Sequence, residues 1–532
     1  MSRTTRLLIL AFALGALLVP AAQASPTQTS IMMDDDLLLY RNDDTAAKAL
    51  VAMKKLGVDT VRVTVLWKVI AEGARPSKVE ISKLKGSAKE RARKQAQRFK
   101  ATNPSTYPKR NWDRYDNLVR TAGRTGIRIY FNITGPGPAW AHAKAPAAQR
   151  SLQASWKPKP AAFKQFVTAV GRRFDGTYRD ENGDRSALPR VSFWSLWNEP
   201  NQAGWLTPQW ENGVPASPGL YRKLYQYGYK GLLATGHRVD NDVILMGETA
   251  PLGSDAKTPK APMRPAQFLR ELATGAGAAA DFAARGPLLA NGYAHHPYTK
   301  NVGPTVTDPN PDSLTMANIN QLGTLLDDLS VKTNGAIPNG LRLFMTEFGF
   351  ETNPPDPFSG IPLADQAKFN TIGEYQAWSN PRIQSQAQFL YRDVDPVRSH
   401  PKTSKAYWFT YQSGLFFRNG VPKPALGAYR MPFLAINQQT LDVTTGAPIF
   451  DLWGQLRLLP NGTAAGATIQ WRDLSTPDSG WVTVGDPVPI DPMGYFTATL
   501  TAPGAGPGEW RAALLNPADG TEFATSPGST GN

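Results

Sequence analysis

The sequence predicts an α/β chain, a (β/α)8 TIM barrel followed by a small C-terminal all-β sandwich. Between residues 30 and 430, short apolar, β-branched runs alternate with amphipathic helical runs eight times over. No glycine-rich phosphate loop follows an early strand, as an open doubly wound sheet would usually bring. Past residue 430 the helical runs stop, and short alternating segments punctuated by Asn461-Gly462 and Asp478-Ser479-Gly480 take over.

Residues 1–24 hold Arg3 and Arg6, an apolar run from Leu7 to Val19, and Ala22-Gln23-Ala24, the layout of a cleavable secretory signal. A secreted or cell-envelope protein is expected. The apolar run is short for a bilayer span, so no transmembrane partner is implied, an uncleaved anchor being the alternative. The barrel is expected over residues 25–435, with strands beginning at Ile31, Thr60, Ile127, Val191, Val243, Leu288, Leu341 and Ala406. In the first helix Asp44 is the expected cap, Ala47, Leu50, Val51 and Leu56 form the apolar stripe, and Gly57 closes the end. Further helices read at 112–126, 161–174, 221–236, 265–275, 315–329 and 384–392, and a short eighth starts near Lys423-Pro424. The sandwich is expected over residues 436–516, with strands at 452–459, 467–474, 481–484, 495–500 and 510–515, and residues 517–532 read as a flexible tail.

The chain has no cysteine, which excludes disulfides, thiolate metal sites and a cysteine nucleophile. Its 14 Trp and 17 Tyr supply side chains that stack on sugars. The net charge of +15 is uneven, because residues 75–110 carry twelve Lys and Arg against Glu80 and Glu90. That insertion reads either as a solvated helix on a loop or as a contact for an anionic polymer or surface. Nucleic acid is not an expected partner, since Phe99 is the single aromatic before Tyr107 and no binding module is present.

Chemistry concentrates at two strand ends. Phe193-Trp194-Ser195-Leu196-Trp197-Asn198-Glu199-Pro200-Asn201 runs from a buried-type strand into an amide, a carboxyl group and a proline; Leu343-Phe344-Met345-Thr346-Glu347-Phe348-Gly349 ends a second strand in another carboxyl. In a barrel, functional groups gather where the strands end, so strands four and seven aim Glu199 and Glu347 into one mouth from opposite sides. Glycoside hydrolysis needs such a pair, one carboxyl to protonate the leaving oxygen and one to attack the anomeric carbon, about 5–5.5 Å apart if configuration is retained.

On these motifs the chain resembles clan A glycoside hydrolases, most closely families 39 and 5. The resemblance spans the barrel and implies a retaining O-glycosyl hydrolase acting on a β-linked oligo- or polysaccharide, with no metal and no organic cofactor. It implies that Glu199 is the acid/base and Glu347 the nucleophile. Asn198 corresponds to the asparagine that binds the sugar 2-hydroxyl. Arg62, in Thr60-Val61-Arg62-Val63, resembles the arginine that steadies the nucleophile, and His296-Pro297-Tyr298 resembles a His-x-Tyr element whose tyrosine bonds it. Trp408, in Ala406-Tyr407-Trp408-Phe409, stands where the clan keeps an aromatic platform at the end of strand eight. Pro138-Ala139-Trp140-Ala141 resembles a family 39 element. The basic insertion departs from both families.

Some residues read two ways. Glu248, ending strand five, and Asp34 to Asp36, ending strand one, are either substrate contacts or structural hydrogen-bond partners; Trp67 and Trp140 either line the cleft or pack under loops. Adjacent His295 and His296 point to opposite faces of a strand, which argues against a metal pair. Glu351 is expected on a loop surface. Trp453, Trp471, Trp481 and Trp510 are either sandwich core or a glycan-binding face. A barrel kept for glycan recognition without turnover is the competing reading, and the presence of Glu199, Glu347, Asn198 and Tyr298 together argues against it.

Overall fold

The computed structural model describes residues 28–182, 186–457, 466–515, 520–528 and 530–531. The expected signal at residues 1–24 and the Asn461-Gly462 turn lie outside them. No helix among the described residues is long and apolar enough to cross a membrane.

Eight parallel strands close into a barrel: β1 (Thr29–Met33), β2 (Thr60–Leu66), β3 (Arg128–Thr134), β4 (Phe193–Leu196), β5 (Val243–Thr249), β6 (Gly292–His295), β7 (Arg342–Met345) and β8 (Ile383–Phe389). Each pairs with its sequence neighbour and β8 closes on β1, with Ile31 opposite Ala387. Alternation along β2 explains its two faces. Val61, Val63 and Val65 join the large core shared with the helices, whereas Arg62 between them turns into the barrel.

The main helices are α1 (Asp43–Lys55), α2 (Lys109–Thr125), α3 (Pro160–Arg173), α4 (Ser217–Leu233), α5 (Pro265–Thr274), α6 (Asn320–Lys332), α7 (Leu363–Ser379) and α8 (Pro424–Arg430). The side chain of Asn42, not Asp44, caps α1 by accepting from the Thr45 N–H at 2.8 Å. Gly57 ends that helix as expected, at φ 79, and a Cβ there would lie 2.6 Å from the Arg457 carbonyl.

The eighth unit differs from the expectation. Residues 384–392, read as a helix, belong largely to β8, and residues 406–409, read as a strand, form turns in the long loop after it. The helix of unit seven is α7. β8 carries Gln384, Gln386 and Gln388 with Ile383 as its only β-branched residue, so its local pattern is weak; closure between β7 and β1 makes it a strand.

Within the sandwich, β9 (Phe433–Leu441), β10 (Pro448–Gln455) and β12 (Tyr495–Thr501) form one antiparallel group, and β11 (Gly466–Asp473), β13 (Gly508–Leu515) and β14 (Glu522–Thr525) a second. β14 lies in the segment expected to be a flexible tail; it pairs along β13, which leaves an open edge there. Trp471 and Trp510 are core between the sheets, and Trp453 packs with Tyr495 against Tyr375 and Trp378 of α7. Arg457 and Glu374 close this junction with a buried ion pair at 2.8 Å. Trp481 is flanked by the guanidinium groups of Arg472 and Arg511.

Candidate active site

The inward-facing side chains stack in levels. The floor is apolar: Ile31, Tyr130, Phe193, Leu245, Ala294, Phe344 and Ala387 fill the barrel, with Tyr130 stacked on Phe193 at 4.2 Å. Toward the carboxyl ends, the strands and the residues just past them carry Arg62, Asn132, Ser195, Glu248, His296 and Thr346, all buried. Above them a cleft of about 820 Å³ opens, with Glu199 and Glu347 at its base.

Glu248 organises the middle level. The β5–β6 register slips between Gly247 and Thr249, and this irregularity turns Glu248 into the barrel. Gly247 has φ 104, and a Cβ there would lie 2.5 Å from the Ala294 carbonyl, so glycine is required. Oε1 of Glu248 accepts from the Tyr130 hydroxyl and from Ser195 Oγ at 2.5 Å. Oε2 accepts from His296 Nε2 at 2.7 Å, Thr346 Oγ1 at 2.7 Å and Arg62 Nη2 at 3.2 Å. Burial opposes the charge, yet Arg62 and His296 hold this carboxyl well below the usual carboxylate range. Glu248 has no exposed surface and does not line the cleft, so of its two readings the substrate contact is set aside.

Glu199 follows an unusual backbone. Trp197 at φ 76 and Glu199 at φ 36 both adopt left-handed conformations. Three hydrogen bonds hold the turn: Trp197 N to the Ile133 carbonyl at 2.8 Å, Asn198 N to Thr134 Oγ1 at 2.9 Å, and Glu199 N to the Glu248 carbonyl at 2.8 Å. Glu199 Oε1 lies 3.0 Å from His296 Nδ1.

Glu347 receives Arg62 Nη1 at 2.8 Å on Oε1 and the Tyr298 hydroxyl at 3.0 Å on Oε2. A second Arg62 nitrogen, Nη2, donates to Asn198 Oδ1 at 2.7 Å. Since arginine only donates, this contact orients the Asn198 amide with its NH2 group away from Arg62. Arg62, His296, Tyr298, Asn198, Glu199 and Glu347 are therefore brought together, as their strand positions predict. One carboxylate oxygen of Glu199 and one of Glu347 lie within 4.8 Å of each other.

His295 points the other way, with Nδ1 on Thr249 Oγ1 and Nε2 on the Leu314 carbonyl, and burial pushes its pKa down to about 3. For His296, burial disfavours the charge, but Glu347, Glu199 and Glu248 outweigh it and push the pKa up to about 10. Glu199, His296 and Glu347 are near enough to share a cation, and both His296 nitrogens lie against carboxyl groups.

Trp408 is not at the end of strand eight. It sits in the following loop, its Nε1 donates to the Lys402 carbonyl at 3.0 Å, and it does not line the cleft. The aromatic at the end of β8 is Phe389, which lines the cleft with Tyr411 packed edge-on at 5.0 Å. Trp67 is buried and stacks on Phe166, so it supports a loop. Asp34 caps a short helix and accepts from Leu37 N and Arg392 N, whereas Asp35 and Asp36 line the cleft. Burial pushes Asp35 up to about 6. Glu351, expected on a loop surface, also faces the cleft, and burial followed by the charge of Asp356 pushes it up to about 8.

Sequence reasoning missed Tyr130, whose hydroxyl reaches from the floor to Glu248, Ser195 and Thr346 in the polar level, and Tyr411 in the cleft. The first three had a signal: each sits on an inward-facing position of a strand, two residues from an apolar or catalytic-level neighbour of the same face. Tyr411 had none, because it arrives on an irregular loop.

No protein-family model and no curated protein matches this sequence. Among solved structures, the chain is similar to a monomeric beta-xylosidase from Caulobacter crescentus, at 13% identity and a TM-score of 0.48, covering 92% of this chain and 96% of that one. A glucosidase from Croceicoccus marinus aligns at 13% identity and a TM-score of 0.43, covering 88% and 81%. An aphid myrosinase aligns at 11% identity and a TM-score of 0.43, covering 76% and 97%.

Proposed function

We propose that the chain is an exported retaining glycoside hydrolase that cleaves β-linked O-glycosidic bonds of an oligo- or polysaccharide through a covalent glycosyl-enzyme. The observation that carries this reading is the pair Glu199 and Glu347, with carboxylate oxygens within 4.8 Å at the base of one cleft. An inverting pair stands farther apart, about 6.5–9.5 Å, to admit a water between carboxyl and sugar. The surroundings divide the roles. Glu347 is held by Arg62 on one oxygen and Tyr298 on the other, and Glu199 sits on the more exposed side, with 21% of its side-chain surface accessible against 11%.

In the first step Glu347 attacks the anomeric carbon, the bond to the leaving oxygen breaks, and the Glu199 proton passes to that oxygen. In the second, a water gives a proton to Glu199 and attacks the same carbon, freeing Glu347. The Asn198 NH2, oriented by Arg62, donates to the sugar 2-hydroxyl, and Phe389 and Tyr411 supply the aromatic wall.

Export rests on the residue 1–24 pattern, and a sandwich that supports the barrel rests on the α7 junction. The basic insertion folds as helices Lys78–Lys83 and Gly86–Arg98, with Ala92 the only buried residue of the second, which favours a solvated face. Contact with an anionic surface or polymer through it would appear as salt-sensitive binding to acidic glycans.

The test is a screen of the purified mature protein against chromogenic glycosides and plant and microbial polysaccharides, with Glu347→Gln as control. Hydrolysis lost in the control supports the reading. Glycan binding with no hydrolysis in either protein would sink it in favour of a recognition barrel.

A further inference from the structure

Glu248 remains without a part in the two chemical steps, although it is the most heavily bonded carboxylate of the site. Neither a floor residue nor a cleft residue, it lies between the two levels and touches both groups that hold the proposed catalytic pair. Its backbone carbonyl receives the Glu199 N–H at 2.8 Å, and its side chain receives His296 Nε2 at 2.7 Å and Arg62 Nη2 at 3.2 Å.

His296 is the informative partner. Its Nε2 faces Glu248 Oε2, and its Nδ1 faces Glu199 Oε1 at 3.0 Å and Glu347 Oε2 at 3.6 Å. A neutral imidazole has one N–H and one bare nitrogen, so it can donate to only one of these sides; the doubly protonated ring donates to both. The other neighbours of Glu248 are the hydroxyls of Tyr130, Ser195 and Thr346 and the amide of Asn132, all able to donate to an ionised carboxylate.

We infer that Glu248 is a positioning residue, a permanently ionised carboxylate that keeps His296 doubly protonated so that one ring N–H is always presented to Glu199 and Glu347. The inference rests on the glycosidase reading for its catalytic meaning. Charge conservation gives that meaning. The proposed steps begin with the proton on Glu199 and Glu347 as the attacking carboxylate, beside the positive Arg62 and His296 and the negative Glu248. In the glycosyl-enzyme Glu347 is a neutral ester and Glu199 has become the carboxylate, so two charges of each sign are present again. Of the three carboxyl groups against His296, Glu248 is the one that is an anion in both states. Without it the buried cluster would hold an uncompensated positive charge throughout, and His296 would shed its proton to relieve it.

The experiment is nitrogen NMR of the protein labelled in its five histidines, with His296 assigned by its disappearance in His296→Asn. In the native protein at pH 8, both His296 nitrogens are expected to be protonated. In Glu248→Gln the ring should become neutral at that pH, its midpoint falling by at least ~2 pH units. On a substrate found in the screen, kcat should fall ~10²-fold with KM within about threefold, and Glu248→Asp should recover part of both the ring charge and kcat. A merely structural role would lower thermal stability in Glu248→Gln and leave the ring charge alone. A neutral His296 at pH 8 in the native protein overturns the inference even if no variant folds. An imidazolium that persists unchanged in folded Glu248→Gln overturns it as well. Because the ring charge is read without substrate, failure of the glycosidase reading would show separately, as absent turnover with the histidine result intact.

Discussion

The floor and the middle of the barrel are built from the same strands at the same inward-facing positions, and they have opposite character. Phe193 on the floor and Ser195 above it are two residues apart on β4; Phe344 on β7 and Thr346 just past its end repeat the step, as do Ala294 on β6 and His296 just past its end. The floor is filled by packing, and its Tyr130 hydroxyl reaches up to Glu248. Where a Cβ on Gly292 would meet the Phe344 ring at 2.4 Å, a small residue faces a large one and the space closes without polar atoms. In the middle, two cations and a buried anion are tolerated because nearly every lone pair and N–H finds a partner. The lesson is a division of labour: apolar packing supplies the stability that allows a dense set of charges to be held dry beneath the cleft.

Four substitutions test that division. Glu347→Ala at the mouth is expected to have the largest effect, a fall in kcat of ~10⁴-fold or more with the fold intact, measured as turnover beside a thermal melt. Parallel loss of activity and folding would mean the mouth is structural too. Glu199→Ala comes next. It should cost ~10²–10⁴-fold on glycosides with poor leaving groups and far less on activated aryl glycosides, with azide restoring rate on the latter. Equal damage on all substrates would count against the assigned role.

Phe344→Ala acts on the floor. Removing a large, nearly buried ring should lower stability by ~3–5 kcal/mol in chemical denaturation, while the protein that remains folded keeps kcat within a few-fold. A change in KM and kcat without loss of stability would erase the distinction between the two levels.

The smallest effect belongs to Glu351 on the cleft wall. Its folded pKa of about 8 lies above the ordinary glutamate value of 4.5, so between those values the folded chain holds a proton that the unfolded chain has released. Its contribution is therefore full in acid and is lost as pH rises through 8. Native protein should lose melting temperature between pH 5 and 9 more steeply than Glu351→Gln; identical slopes would show that Glu351 titrates normally.

Much of this arrangement was legible in the sequence. Strands β1 to β7 follow apolar runs, and Glu199 and Glu347 stand at the ends of β4 and β7 because those runs stop at a carboxyl. The period of two in a strand was enough to send His295 and His296 to opposite faces. β8 was not legible. The amide of its Gln388 is satisfied only inside the folded barrel, where it donates to the carbonyls of Leu390 and Ser413 and accepts from Asn370. Misplacing β8 carried the aromatic platform to Trp408 when the strand ends at Phe389.

The sequence by itself determined the eight-unit barrel, the sandwich after it and the two glutamates at strand ends, because each is written in short-range periodicity or in a motif within one strand. Tertiary structure alone decided the rest. The slip between Gly247 and Thr249 turns Glu248 inward, and irregular loops bring Tyr411 and Glu351 to the cleft. These outcomes depend on register between neighbouring strands and on where irregular chain comes to rest, which no local pattern of residues encodes.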